Sequence, residues 1–159
     1  NPREPQLVAA SDKLAWGALS GLTTDGQYLY AVPDNAFAHS RIWRIHPGDV
    51  AQGRMLIDQA IWLTEAKGQP LKVDPEGIAH VPDGFWIASE GATVDGNELI
   101  KVNASGVVQQ RVKLPASLQA RFASPKISTG FEGVTASPDG QTDPLAVYQS
   151  RPPARRCSA

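Results

Sequence analysis

The sequence lacks the features that mark a disulfide scaffold, a cysteine-bound metal or a membrane span. Its single cysteine, Cys157, stands close to the end of the chain. One cysteine can build neither an internal disulfide framework nor a cysteine metal cluster. No apolar stretch approaches the roughly 20 residues that a membrane helix needs. We therefore expect no structural disulfide and no membrane partner.

An excess of charge of one sign is also missing. Fifteen basic and sixteen acidic residues give a formal net charge of −1, so we expect neither nucleic acid nor an anionic membrane surface as a partner. Phosphate loops, dinucleotide fingerprints and zinc spacings are absent. In residues 17–21, GALSG, the serine stands one place too late for a Gly-x-Ser-x-Gly nucleophile elbow.

Glycine and proline, by contrast, are frequent. The chain has 14 glycines and 13 prolines, and they separate short apolar runs, as is typical of an all-β protein. Apolar residues make up 42% and charged residues 19%, a balance that argues against disorder. The 159 residues would ordinarily form one domain. The chain begins at Asn1 without a signal-peptide pattern, which indicates a processed chain or a piece of a longer one.

A repeat of 56 residues organises the sequence. Gly21, Gly77 and Gly133 are 56 residues apart, and each stands in a short apolar strand that leads to an Asp-Gly turn. In the first two repeats the strand after the turn is aromatic and ends in a carboxylate, Asp34 or Glu90. Each full repeat has room for four strands in about 50 residues, which favours a propeller blade.

The predicted fold class is therefore all-β and β-propeller-like, with about two and a half four-stranded blades. A closed propeller has about four to eight blades, so we expect a fragment of a larger propeller, or self-association through open blade edges. The predicted organisation is an N-terminal lead-in and edge strand at 1–13, blades at 14–140 and a divergent tail at 141–159. The tail is predicted because the repeat fails after Gly140, where Ala146 stands in the place of Asp34 and Glu90. A truncation or a change of reading frame would explain it.

Several motifs together resemble the phytase-like domain family, the group described by its esterase-like activity of phytase. They are LSGL at 19–22, IWRI at 42–45, DPEGIA at 74–79, FWIASEG at 85–91, GFEGV at 130–134 and SPDG at 137–140. The resemblance covers about residues 14–140. It implies a β-propeller that acts on a small-molecule phosphoester or ester substrate. It also implies a bacterial protein of the periplasm or the secreted space.

In a propeller, the starts of the first strands and the ends of the second strands face one mouth. Five carboxylates should gather there as metal ligands, and a cluster of oxygen ligands suits Ca²⁺ or Mg²⁺, of which Ca²⁺ is the expected cofactor. A metal there could bridge phosphate oxygens and polarise the phosphorus centre for attack by water. Glu76 and Glu132 have an alternative role, in which they accept backbone N–H bonds and lock neighbouring blades. The five predicted ligands are Asp34, Asp74, Glu76, Glu90 and Glu132.

Other candidate residues are fewer. Arg121 and Lys126, in the loop before the third repeat, are predicted to bind substrate phosphate, with solvated loop charges as the alternative. His80 lies in an inner strand and fits either a core or a channel-facing histidine. No catalytic residue follows from the sequence. Two other functions stay open: a non-catalytic module that binds a ligand or a protein, and a lactonase of the gluconolactonase type, which also uses acidic metal ligands.

Overall fold

The structure is a computed structural model that describes residues 9–10, 18–34, 39–91, 96–117, 119, 129–137 and 145–150. This part of the chain forms twelve strands and one short helix. In chain order they are β1 (Ala9–Ala10), β2 (Leu19–Thr24), β3 (Leu29–Pro33), β4 (Arg41–Ile45), α1 (Pro47–Ala51), β5 (Arg54–Met55), β6 (Ile57–Trp62), β7 (Asp74–Val81), β8 (Gly84–Glu90), β9 (Glu98–Asn103), β10 (Val108–Lys113), β11 (Thr129–Thr135) and β12 (Leu145–Ser150).

The strands form two four-stranded antiparallel sheets and a hairpin. The first sheet has the order β2-β3-β4-β6, the second has the order β7-β8-β9-β10, and β11 pairs with β12. A short parallel pair, β1 with β5, lies apart from them. In both large sheets the strands follow one another as a meander, which is the arrangement of a propeller blade. The predicted all-β fold is confirmed, and its two four-stranded sheets and hairpin are consistent with the predicted propeller-like fragment.

The innermost strands of successive units pack against each other at glycines. A Cβ atom placed on Gly21 would lie 2.8 Å from the Cα of Gly77, and one on Gly77 would lie 2.7 Å from the Cα of Gly133. These distances are shorter than real Cβ contacts, so only glycine fits at Gly21 and Gly77 without a shift of the backbone. A glycine recurs every 56 residues because β2, β7 and β11 approach one another closely at these positions.

The core lies between these units. One apolar cluster fills the space between the first and second sheets and includes Val32, Ile42, Ile87 and Ile100, all fully buried. A second cluster joins the second sheet to β11 through Trp86, Leu99 and Phe131, among others. Burial on both sides makes the second sheet the centre of the described structure.

Three local features modify the simple meander. Helix α1 follows β4 after one residue, His46, and has proline in its first turn. The segment from Arg54 to Trp62 is divided into two strands, β5 and β6. The repeat pattern breaks after Gly140, yet β12 pairs with β11 from Thr135 opposite Leu145 to Thr129 opposite Ser150.

The third unit therefore has its return strand in spite of the altered sequence. Residues 151–159 lie outside the described residues, and the predicted domain boundaries at 13 and 140 stay predictions. No helix in the described ranges is long and apolar enough to cross a membrane.

Candidate functional site

The hairpin of β7 and β8 brings two carboxylates to one edge of the second sheet. Asp74 begins β7, Glu90 ends β8, and the two residues are register partners. The turn that closes this hairpin uses Gly84, whose φ of 150° is one that side-chain-bearing residues rarely adopt. The predicted proximity of Asp74 and Glu90 follows from this antiparallel pairing.

A β-bulge adds Glu76 to the pair. Pro75 pairs with Ser89, and Gly77 pairs with Ala88. Ser89 and Ala88 are adjacent in β8, so Glu76, between Pro75 and Gly77 in β7, is an extra residue without a register partner. A bulge leaves the extra residue outside the ladder and redirects its side chain. The other two hairpins have the same irregularity one residue before their glycines, at Ser20 and at Glu132.

Asp74, Glu76 and Glu90 form a compact acidic cluster. Each offers a carboxylate oxygen, these oxygens lie within 4.8 Å of one another, and all three residues are half-buried. Burial raises the pKa of Asp74, and the charge of Asp34 raises it further. Burial also raises the pKa of Glu76, and the charges of Asp34, Asp74 and Glu90 add to the effect. Ionisation of Asp74 and Glu76 is therefore disfavoured by burial and by the negative charge around them.

Ser20 is the one described neighbour whose hydrogen bond offsets this effect on Glu76. Its Oγ donates a hydrogen bond to Glu76 Oε2 at 2.6 Å, from the first sheet to the second, and this bond lowers the pKa of Glu76. Ser20 occupies in the first repeat the place of Glu76 in the second. A serine there orients Glu76, whereas a glutamate would repel it. Sequence reasoning missed Ser20, although its repeat position was a signal.

Gly130 makes room for Glu90. A Cβ atom on Gly130 would lie 2.5 Å from Oε1 and 2.6 Å from Cδ of the Glu90 side chain. The third unit thus approaches the acidic cluster through a residue without a side chain. Sequence reasoning missed this role too, because the relevant contact is to a carboxylate forty residues earlier in the chain.

The structure brings together three of the five predicted metal ligands. Asp34 is exposed and borders the cluster, since its charge acts on both Asp74 and Glu76. Glu132 is exposed and lies outside the group of three. The ligand roles of these two residues stay predictions. Arg121 and Lys126 lie outside the described residues.

The alternative role of Glu76, as a link between blades, also has a counterpart in the structure. The link is a side-chain bond from Ser20 rather than a bond from a backbone N–H. His80, which could have been core or channel-facing, is half-buried and lies against the rings of Tyr30 and Phe85.

The donor set fits a hard divalent cation. All three ligands are oxygens, which Ca²⁺ and Mg²⁺ prefer, and Ca–O distances of about 2.3–2.6 Å allow two ligands of one Ca²⁺ to lie up to about 5 Å apart. The separations of up to 4.8 Å in the cluster agree with that limit. A cation would also offset the repulsion that raises the pKa of Asp74 and Glu76.

Comparison with models of known protein families places the chain in one family. The family model described as "Phytase-like: Esterase-like activity of phytase" matches residues 14–151. The chain belongs to the phytase-like family. The phytase-like match contains all five predicted carboxylates and extends through β12. No curated protein and no solved structure matches the chain.

Proposed function

We propose that this phytase-like protein is a metal-assisted phosphoester hydrolase whose metal, Ca²⁺, is held by Asp74, Glu76 and Glu90. The observation that carries the proposal is the convergence of these three half-buried carboxylates within the part of the chain that matches the family. Structural ion pairs do not account for Asp74 and Glu76, because neither takes part in a salt bridge between described residues.

The charge of the cluster makes a cation necessary for an anionic substrate. Three carboxylates, with Asp34 at their border, would repel a phosphoester unless a cation offsets their charge. Bound Ca²⁺ would supply that charge, coordinate phosphate oxygens and polarise the phosphorus centre. Asp74, Glu76 and Glu90 bind in this scheme, and Ser20 orients Glu76 through its 2.6 Å hydrogen bond.

The remaining parts of the proposal come from the sequence. Arg121 and Lys126 bind substrate phosphate, and Asp34 and Glu132 complete the ligand set. The substrate is a small-molecule phosphoester, or more broadly an ester, and the protein acts in the periplasm or the secreted space of a bacterium. Open blade edges allow self-association. Family resemblance supports substrate class and location, and charge complementarity supports the two basic residues.

A calcium titration combined with a phosphatase assay tests the proposal. Calorimetry should show saturable Ca²⁺ binding that Glu90→Gln weakens at least about tenfold, and release of p-nitrophenol from p-nitrophenyl phosphate should require Ca²⁺. Asp49→Asn is the matched control, because Asp49 pairs with Arg54 beside α1, away from the cluster. Calcium binding without phosphate release, or hydrolysis of a lactone alone, would overturn the phosphoester assignment.

A further inference from the structure

A cleft opens between the first and second sheets at the end opposite the acidic cluster. Its volume is about 250 Å³. Asp74 and His80 lie six residues apart along β7, which corresponds to about 20 Å of strand. The cleft is therefore separate from the candidate metal centre. The lining residues that matter here are Asp25, Tyr30, Arg44, Gln59, His80 and Phe85.

One wall of the cleft is fixed by hydrogen bonds. The Tyr30 hydroxyl donates to Asp25 Oδ2 at 2.9 Å, and the backbone N–H groups of Gln27 and Tyr28 both donate to Asp25 Oδ1 at 2.7 Å. Burial, helped by this bond, raises the pKa of Tyr30 to about 12. Burial alone would raise the pKa of Asp25, but its hydrogen bonds outweigh it and hold that pKa below the usual value. At neutral pH the wall carries a neutral phenol and a charged carboxylate.

Aromatic rings hold the imidazole of His80 in the cleft. Its ring stacks on Tyr30, with centroids 6.2 Å apart and planes within 10° of parallel, and meets Phe85 edge-on at 5.6 Å. Among the described residues, none forms a hydrogen bond with its imidazole nitrogens. The imidazole nitrogens are not among the buried described polar atoms that lack a partner, so they are open to the solvent of the cleft that His80 lines. They can bond to water or to a ligand that enters the cleft.

The repeat does not require a histidine here. The residue 56 positions before His80 is Thr24, and its hydroxyl is used within its own turn. It donates to the Tyr28 carbonyl at 2.7 Å and accepts from the Gly26 N–H at 3.0 Å. The second hairpin makes its turn without such a bond from residue 80, so the imidazole is left available.

The charges in the cleft disfavour an anion. Arg44 donates from Nε and Nη2 to the two carboxylate oxygens of Asp58, at 3.0 and 2.8 Å, which neutralises its charge. In the described chain, no basic side chain forms a salt bridge with Asp25. The carboxylate of Asp25 leaves the cleft with negative charge, so a phosphate or carboxylate ligand would be repelled.

The size and the remaining groups define the ligand class. A volume of about 250 Å³ falls below the roughly 300–1,000 Å³ of pockets for drug-sized molecules, so the cleft suits a single ring. Phe85 and Ile61 supply apolar surface, whereas Gln59 and His80 supply both donors and acceptors of hydrogen bonds. We propose that this cleft is a second binding site that takes one neutral, polyhydroxylated ring of monosaccharide size. Its hydroxyl groups bond to Gln59 and His80, and its C–H groups contact the small parts of Phe85 and Ile61 that line the cleft.

Saturation-transfer NMR with D-glucose as the probe tests this site without reference to the metal or to catalysis. The intact chain should transfer saturation to glucose, and Gln59→Ala and His80→Ala should each weaken the affinity at least about tenfold. Gln109→Ala is the matched control, since Gln109 is an exposed glutamine on β10 outside the cleft, and it should bind as the unmodified chain does.

Circular dichroism checks that each variant is folded. Gln59 is exposed, so Gln59→Ala decides the matter if His80→Ala fails to fold. Absence of transfer in the unmodified chain, undiminished binding in either folded variant, or displacement of glucose by inorganic phosphate would overturn the proposal.

Discussion

Gly77 lies so close to Gly133 that a Cβ atom on Gly77 would stand 2.7 Å from the Gly133 Cα, whereas a Cβ atom on Gly133 would meet no described atom within 4 Å. The same residue type in equivalent repeat positions thus has opposite steric surroundings. We expect Gly77→Ala to lower the free energy of unfolding by about 1–3 kcal/mol, because the backbone of β11 must move. Urea denaturation followed by tryptophan fluorescence measures the change.

Gly133→Ala is the internal control for that experiment. It should change stability by no more than about 0.5 kcal/mol, the scale of substitutions that disturb no packing. Equal destabilisation by the two substitutions would show that the close approach of β7 and β11 is not what requires glycine at position 77.

The hydrogen bond from Ser20 to Glu76 predicts a shift in the pH dependence of calcium binding. This bond lowers the pKa of Glu76, so Ser20→Ala should raise it. Protons compete with the metal for the carboxylate, and the midpoint of Ca²⁺ binding should therefore move to higher pH. Calorimetric titrations at a series of pH values from about 4 to about 7, which begin near the ordinary glutamate pKa of about 4.3, measure the midpoint. Ser105→Ala, in an exposed turn, should leave it unchanged.

The raised pKa values of Asp74 and Glu76 predict that the metal-free protein gains stability when their charge is removed. A carboxyl group whose pKa is raised in the folded state destabilises the fold when it is ionised. This loss of stability is present at neutral pH and disappears as the pH falls below the pKa of the group in the unfolded chain. Glu76→Gln should raise the melting temperature at pH 7 in a chelator. Solvent screening limits the gain to at most about 1 kcal/mol.

A matched substitution should have the opposite sign. The pKa of Asp83 is lowered by its hydrogen bond from Lys101 at 2.7 Å. Asp83→Asn should therefore cost a little stability at pH 7, and the cost should vanish in acid. If Glu76→Gln instead lowers the melting temperature of the metal-free chain at pH 7, the ionised Glu76 carboxylate stabilises the contact between the sheets, and its charge does not destabilise the metal-free fold.

The contact between Gly130 and Glu90 predicts a role for Gly130 in metal binding. Gly130→Ala would place a methyl group within 2.5 Å of Glu90 Oε1 and should displace that carboxylate. Calcium affinity should fall by about 10–100-fold, the range for groups that position a metal ligand. Gly48→Ala controls for the substitution, because no described atom lies within 4 Å of its Cβ. An unchanged affinity in Gly130→Ala would show that Gly130 does not position the Glu90 carboxylate for metal binding.

The sequence allowed the parts of the site that depend on local pairing to be predicted. Asp74 and Glu90 were expected to meet because the two ends of a hairpin lie at one edge, and Glu76 is two residues from Asp74. Ser20 and Gly130 were missed because their contacts cross between sheets. Such contacts depend on how closely β2, β7 and β11 approach one another. This distance cannot be predicted from local patterns of polar and apolar residues.

The third unit shows a second limit of prediction from local sequence patterns. The expected aromatic strand that ends at the position of Ala146 is missing, yet β12 pairs with β11 along six register pairs, and Gly130, 56 residues after Asp74, pairs with Gln149. β12 contains Val147 and Tyr148, residue types that favour strands, so the return strand forms a few residues later in the chain than the 56-residue spacing predicts.

Calorimetric titration of Ca²⁺ into the purified chain and into Glu90→Gln, with Asp49→Asn as the control, tests whether Asp74, Glu76 and Glu90 form a metal site. We expect saturable binding in the unmodified chain and in Asp49→Asn, and affinity at least about tenfold weaker in Glu90→Gln. A folded chain that binds no Ca²⁺, or that binds it equally well without the Glu90 carboxylate, would contradict the claim that Asp74, Glu76 and Glu90 form a metal site.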